Sequence, residues 1–402
     1  MKVLVLNAGS SSVKFTLYEM ENEKVLAKGL VERVGLENPQ LIYKHCDGRE
    51  VRETLNIKNH SEAIQRICNK LLDPEIGVLT SLSEVQAIGH RVLHGGKKAT
   101  KPAKVNAEVK NIILECFPLG PLHNPANLAG IEACEKNFPG VPNVAVFDTA
   151  FHQTMPPEAY LYALPYELYE KHDIRRYGFH GTSHNFVTNA TAEFLGHKPE
   201  DLKLITCHLG NGCSMAAVKY GKVIDTTMGV TPLEGLVMGG RCGDIDPAIV
   251  VRLFEMGMSA SEVDTLMNKK SGLLGVSGIS SDMRDILKAS AEGNERAILA
   301  KRMFVLRAVK YIGAFFTLLH GADAIAFTGG VGEYSAPIRH EIVAELDGLG
   351  IYMDEAKNKE FCGKRGLISA KNSQCQLVVM PTDEELMIAR STLQTLGIKL
   401  QK

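Results

Sequence analysis

The chain has 402 residues, 45% of them apolar, with a formal net charge of −1. That length exceeds one ordinary core and predicts two domains. Near-zero, interspersed charge argues against nucleic acid or an anionic membrane surface as partner, and no apolar run is long enough to span a bilayer.

Val3-Leu4-Val5-Leu6 runs into the turn Asn7-Ala8-Gly9-Ser10-Ser11-Ser12, then a stretch at 13–18, a polar turn at 19–24 and Val25-Leu26. This reads as strand, tight turn, strand, polar turn, strand. Residues 61–72 have helical spacing, with Ser61 as N-cap. Residues 85–88 form a short strand leading into Gly89-His90-Arg91. Asn124-Pro125 opens a helix to about residue 137, with Asn as cap and Pro at the first helical position. Residues 141–147 form an apolar strand ending at Asp148, a place where α/β proteins commonly put chemistry. Residues 149–181, rich in Pro, Tyr and His, read as an irregular link or cleft lining.

The second half repeats the layout. Leu204-Ile205-Thr206-Cys207 runs into His208-Leu209-Gly210-Asn211-Gly212, then 213–218, a polar turn at 219–222 and Val223-Ile224. Helices follow from Asp246, from Ser259 and over about 294–320. Residues 324–327 form a strand and 328–333 a glycine-rich loop leading to another helix. Residues 376–380 form the last strand, before a helix opening at Glu384 with Asp383 or Thr382 as cap. Strands mixed with helices throughout predict α/β domains with mixed sheets.

Two matching hairpins in one chain predict two similarly built halves. Each tight turn suits phosphate, because glycine permits close backbone approach and successive N–H groups form a concave anion site. Ser10, Ser11 and Ser12 add hydroxyl donors, and Lys14 lies just beyond. Arg91, in Gly89-His90-Arg91-Val92-Leu93-His94-Gly95-Gly96, and Arg241, in Gly239-Gly240-Arg241-Cys242-Gly243, are guanidinium groups set among glycines, suited to a carboxylate or phosphate. Asp148 follows an apolar strand and is expected to be partly buried, where a carboxylate needs a partner such as an arginine or a metal ion. His180 stands between glycines beside Arg175 and Arg176. This is the equipment of phosphoryl transfer, which works by positioning and positive charge. No GxxxxGK[ST], protein-kinase loop set or HExxH occurs. Nine cysteines, scattered without a CxxC pair, predict reduced thiols in a cytoplasm.

The run from Asn7 to Lys14 resembles the first signature of the acetate kinases. Asp148-Thr149-Ala150-Phe151-His152, with the run 175–184, resembles the second, and 89–96, 208–212, 238–247, 281–284 and 382–386 match in order. The resemblance implies a fold of the sugar kinase, Hsp70 and actin superfamily. That fold is α/β, with two duplicated actin-like, ribonuclease H-like domains, mixed sheets flanked by helices, and a nucleotide cleft between them. The domains are expected at 1–150 plus the C-terminal helix 386–402, and at 151–385. It implies reversible, direct in-line transfer from ATP to acetate, giving acetyl phosphate and ADP, with Mg²⁺ (or Mn²⁺), in a cytoplasmic homodimer.

Carried to matching positions, the resemblance gives Asn7 and Glu384 to the metal, Arg91 and Arg241 to the carboxylate and the migrating phosphoryl group, and His180 to a transition-state hydrogen bond. Asp148 acts on the carboxyl substrate or orders the arginines and metal, as an electrostatic organiser more than a proton acceptor, since acetate is already an anionic nucleophile. Ser10, Ser12 and Lys14 follow the polyphosphate; His208, Leu209, Gly210, Asn211 and Gly212 form the second phosphate loop. Asp282, Met283 and Arg284, with Gly330, Val331, Gly332, Glu333 and Tyr334, surround the adenosine. Leu93, Leu122, Phe179 and Pro232 receive the acetate methyl. Gly240, Tyr334, Asp383 and Leu93 depart from the family's usual Thr, Asn, Asn and Val. The competing expectations are a propionate or butyrate kinase of the same family and, in another class, a nucleotide-gated binding protein of the Hsp70 or actin type.

Overall fold

In the computed structural model, which describes residues 1–400, the chain divides into two units: Met1–Phe151 with the residues from Asp383 onward, and His152–Thr382. The first unit holds β1 (Lys2–Gly9), β2 (Ser12–Glu19), β3 (Lys24–Glu32), β4 (Gln40–His45), β5 (Glu50–Thr54), α1 (His60–Leu71), β6 (Val85–Val92), β7 (Ala103–Lys104), α2 (Ala107–Glu115), α3 (Asn124–Asn137) and β8 (Asn143–Phe147). Its sheet runs β5-β4-β3-β2-β1-β6-β8-β7, with parallel pairing only of β1 with β6 and β6 with β8. The unbroken apolar run of β1 reflects burial on both faces. Leu4 and Leu6 pack with Phe15, Ile64, Ile67 and Phe138, while Val3 and Val5 pack with Ile388, Ala389 and Leu393 of the closing helix Glu384–Thr395.

The second unit holds α4 (Pro157–Tyr160), α5 (Tyr166–His172), α6 (Gly181–Phe194), β9 (Lys203–Leu209), β10 (Cys213–Lys219), β11 (Lys222–Thr226), α7 (Ala248–Glu255), α8 (Ala260–Lys269), α9 (Gly272–Ser277), α10 (Met283–Ala291) and α11 (Glu295–Leu318). Then come β12 (Ala324–Thr328), α12 (Gly329–Tyr334), α13 (Ala336–Ala344), α14 (Glu355–Glu360), β13 (Gly366–Leu367) and β14 (Gln376–Val379). Its sheet runs β11-β10-β9-β12-β14-β13. The antiparallel meander β9-β10-β11 is followed by parallel β12 and β14 and a two-residue antiparallel edge strand. The first unit repeats this connectivity in β3-β2-β1-β6-β8-β7. The architecture is therefore duplicated, and β4 and β5 are additions to the first copy.

Four local expectations are corrected. Asn59, not Ser61, caps α1, its side chain accepting from Glu62 N. Asn124 lies inside α3 rather than capping it, because its amide is engaged by the backbone of His94 and Ile113. The glycine-rich segment after β12 is the helical turn α12, not a loop. The closing helix ends at Thr395, short of the expected 386–402; residues 401 and 402 lie outside the described residues.

Candidate active site

In the first unit, the C-terminal ends of three neighbouring strands carry Asn7 (β1), Arg91 (β6) and Asp148 (just past β8). The parallel register pairs Leu6 with His90 and Arg91 with Val146. Asp148 is fully buried. Arg91 Nη2 donates to Asp148 Oδ2 at 2.5 Å, and Arg91 Nε lies 3.9 Å from Glu384 Oε2 at the start of the closing helix. Burial opposes the guanidinium's charge, but Asp148 and Glu384 outweigh it and raise its pKa.

The first glycine turn is held from behind. His60 Nε2 donates to Gly9 O at 2.6 Å, and Asn127 Nδ2 donates to Ala8 O at 2.6 Å. Asn127 Oδ1 also accepts from Leu93 N at 3.0 Å, tying the turn to the segment after β6. Ser10 and Lys14 are exposed and Ser12 half-buried, so their polar groups remain accessible. Leu93 is buried, whereas Leu122 is 60% exposed. Asp383, one of the departures, caps the closing helix by accepting from Leu386 N at 2.8 Å, and Tyr18 Oη donates to the same carboxylate at 3.3 Å.

The residues around Arg91 fit a hydrated divalent ion. No cluster of three or more His, Cys, Asp or Glu forms a closed cage among the described residues. Glu384 holds its proton up to about 7 instead of its ordinary 4.5; burial is the main cause, Asp148 and Glu385 add to it, and Arg91 and Lys14 oppose it. A cation beside this carboxylate relieves the surplus of negative charge. Between pH 4.5 and about 7 the folded chain retains a proton the unfolded chain has released, so stability falls as pH rises through that window. In EDTA, Glu384→Gln is expected to lose less melting temperature than the parent between pH 5 and 8. Mg²⁺ should raise the parent's melting temperature more at pH 8 than at pH 6, and the variant's little at either.

In the second unit, His180 takes a left-handed backbone (φ 55°, ψ 25°) at the start of α6. That conformation is uncommon outside glycine, and such residues cluster at functional sites. Its ring stacks on His208 at 4.3 Å between centroids. A Cβ placed on Gly212 would lie 3.5 Å from His180 Nε2 and 3.4 Å from Arg241 Nη1. The second glycine turn thus lies beside both groups. Arg241 Nη1 donates to Pro232 O at 3.1 Å and touches Met238 Sδ at 3.7 Å. Among the described residues Arg241 has no ion pair, and burial lowers its pKa. Phe179 is buried and Pro232 half-buried. At Gly240 a Cβ would meet Lys269 O at 3.2 Å, so a larger residue there requires the end of α8 to give.

A cavity of about 610 Å³ opens beside this cluster in the same unit. Gly210 and Asn211 of the second turn, Asp282, Met283 and Arg284 at the start of α10, and Gly330, Val331 and Tyr334 of α12 line it, with Leu273, Leu287 and Pro337 as apolar walls. Its size suits a nucleoside. Arg284 is paired bidentately with Asp282, which also caps α10. Tyr334, 63% exposed, covers Gly363: a Cβ there would strike its ring at 2.3 Å. Gly332 and Glu333 stand behind the cavity rather than on its wall. Glu333 Oε1 accepts from Gly329 N at 3.0 Å and Thr382 N at 3.2 Å.

Sequence reasoning missed Arg339, which is completely buried. It donates to Gly332 O, Glu333 O, Asn358 O and Asn358 Oδ1 at 2.7–2.8 Å, fastening the end of α12. A lone arginine on a helical stretch gives no sign of this; only the fold brings those carbonyls around it. Arg339→Met strands four acceptors and is expected to cost about 3 kcal/mol, measured by chemical denaturation. The nucleotide KM should rise, since α12 walls the cavity.

The duplicated sheet, with a glycine turn after the first strand of each unit, fits a phosphotransferase. Residues 2–390 match the acetokinase family. The acetate kinase of Dictyoglomus turgidum is 54% identical over 405 residues, covering 100% of this chain and 99% of that protein. The crystal structure of Porphyromonas gingivalis acetate kinase matches with a TM-score of 0.95 at 47% identity, covering 98% of this chain and 99% of that one. A propionate kinase from Francisella tularensis matches at 0.91 and 42%, with the same coverage. The chain belongs to the acetokinase family, and its duplicated mixed α/β architecture is that of the acetate kinase structure it matches.

Proposed function

We propose that this chain is an acetate kinase, reversibly transferring the terminal phosphoryl group of ATP to acetate with Mg²⁺. Family membership over nearly the whole chain supports the reaction class. The observation that carries the mechanism is Arg241: a half-buried guanidinium with no ion pair among the described residues, turned to His180 and the second phosphate turn. Nothing internal neutralises it, so it is fitted to an external anion. Arg91 and Arg241 bind the acetate carboxylate and the migrating phosphoryl group, and His180 hydrogen-bonds that group as charge spreads over it. Asp148 holds Arg91 in place. Ser10, Ser12 and Lys14, with residues 208–212, hold the phosphates, and the 610 Å³ cavity takes the adenosine. Asn7 and Glu384 hold Mg²⁺ largely through water; when bound, it neutralises phosphate charge and lowers the repulsion between the two anions.

A propionate kinase is the second reading, favoured by the 42% identical propionate kinase structure. Comparing kcat/KM for acetate, propionate and butyrate by ADP release decides it: acetate should rank first. Leu93→Ala should shift the propionate-to-acetate ratio toward propionate by about tenfold, the worth of one or two methylenes in an apolar pocket. An unchanged ratio removes Leu93 from the acyl pocket.

A second copy of this chain is the proposed partner. α7 exposes Ile249, Val251, Phe254 and the adjoining Met256, and α11 exposes Leu299, Met303 and Leu306 at helical spacing. Apolar surface of this kind marks an association face. All nine cysteines are free thiols, in keeping with a cytoplasmic enzyme, and no helix is long and apolar enough to cross a membrane among the described residues.

A further inference from the structure

Behind His180 lies a chain of buried side chains that the transfer reaction, as described, does not use. His180 Nδ1 is 2.9 Å from Ser214 Oγ, Ser214 Oγ is 2.7 Å from His184 Nε2, and His184 Nδ1 is 2.7 Å from Thr206 Oγ1. Ser214, His184 and Thr206 are each fully buried. The direction of this chain can be worked out by counting protons. Ser214 has one hydroxyl proton and two imidazole nitrogens beside it, so it donates to one ring and accepts from the other. His184 is neutral, because burial, then His152 and His208, lower its pKa far below the ordinary value. It therefore carries one N–H.

Two arrangements remain. If His184 carried its proton on Nδ1, it would donate to Thr206, and the Thr206 hydroxyl proton would be left without an acceptor, since His184 is the partner of that hydroxyl among the described residues. Stranding a buried donor costs about 1–3 kcal/mol. If instead Thr206 donates to His184 Nδ1, then His184 Nε2–H donates to Ser214, Ser214 donates to His180 Nδ1, and every group is satisfied. His180 then carries its proton on Nε2, which together with Cε1 lies 3.5 Å from a Cβ placed on Gly212.

We propose that Thr206, His184 and Ser214 are positioning residues forming a one-way donor chain that fixes His180 as the Nε2–H tautomer. The inference rests on the role given above to His180 as hydrogen-bond donor to the phosphoryl group. It adds that the donor is present in the neutral ring, so no imidazolium is needed. The charged and titratable groups facing His180 are His208, stacked on its ring, and Arg241 across Gly212, with His184 behind Ser214 and His152 edge-on to His184 at 5.5 Å. In the neutral ring the tautomer is set by Ser214.

Long-range ¹H–¹⁵N spectra of the full-length protein labelled at histidine read the tautomer directly, with His180→Gln to assign the signal. The expected result is Nε2–H for His180 from pH 7 to 8.5; an Nδ1–H tautomer, or a doubly protonated ring at pH 8, overturns the proposal. Ser214→Ala should lower kcat about tenfold with the nucleotide KM within about twofold, less than the ~10²–10³ for losing a transition-state donor outright. Thr206→Val should mix the His180 tautomers and lower kcat, whereas Thr206→Ser keeps both at the parent's values. Full kcat in Ser214→Ala and Thr206→Val also overturns it. Were the chain to transfer no phosphoryl group to acetate, the reaction assignment would fall, while the spectra would still decide the tautomer.

Discussion

Arg241→Leu is expected to lower turnover at saturating ATP and acetate by about a hundredfold or more while leaving the fold intact. In the proposed reaction the transition state gathers negative charge from a carboxylate and a phosphoryl group, and removing one fixed donor to such charge costs about 10²–10³ in rate. Stability should hardly change, because the guanidinium contributes one hydrogen bond to a carbonyl and one sulfur contact. Its half-buried charge has no ion pair among the described residues, so leucine also removes a desolvation penalty. Steady-state kinetics beside a thermal melt separate the two effects. Turnover near that of the parent would remove Arg241 from the reaction.

Arg91→Ala should behave differently, losing both turnover and stability. Arg91 is bound to Asp148, whose carboxylate is fully buried at the end of β8. Removing the guanidinium withdraws the charge that compensates this carboxylate, and breaking a buried pair from one side typically costs about 3–5 kcal/mol. The double variant Arg91→Ala, Asp148→Ala should regain much of that stability and none of the turnover. Such a cycle separates the pair's structural coupling from its proposed catalytic role. A double variant as unstable as the single one would show that Asp148 is not stranded by the loss of Arg91.

Much of this was legible in the residues because it is local. The two hairpins showed through apolar alternation broken by Gly, Ser and Asn at the turns, and their strands fall where that alternation lies. Their recurrence pointed to duplication, which the matching strand orders display. Caps were harder: Asn59 and Ser61 both suit a helix start, and hydrogen bonding to Glu62 N selects Asn59. Asn124 looked like a cap but is used to clamp His94, a contact thirty residues away. Consecutive glycines disguised α12, whose helical turn is held by Glu333 and Arg339 rather than by propensity. The Thr206-to-His180 chain was invisible for the same reason: its members lie on α6, β9 and β10, and only strand register sets Thr206 and Ser214 around one imidazole.

The proposed reaction requires a carboxylate anion to attack the terminal phosphate of ATP. Incubating the chain with ATP, Mg²⁺, acetate and hydroxylamine tests this directly, because an acyl phosphate is captured as a hydroxamate. The expected result is acetyl hydroxamate formed in step with ADP, one for one, and dependent on acetate. ADP accumulating without hydroxamate, or at a rate indifferent to acetate, would contradict it.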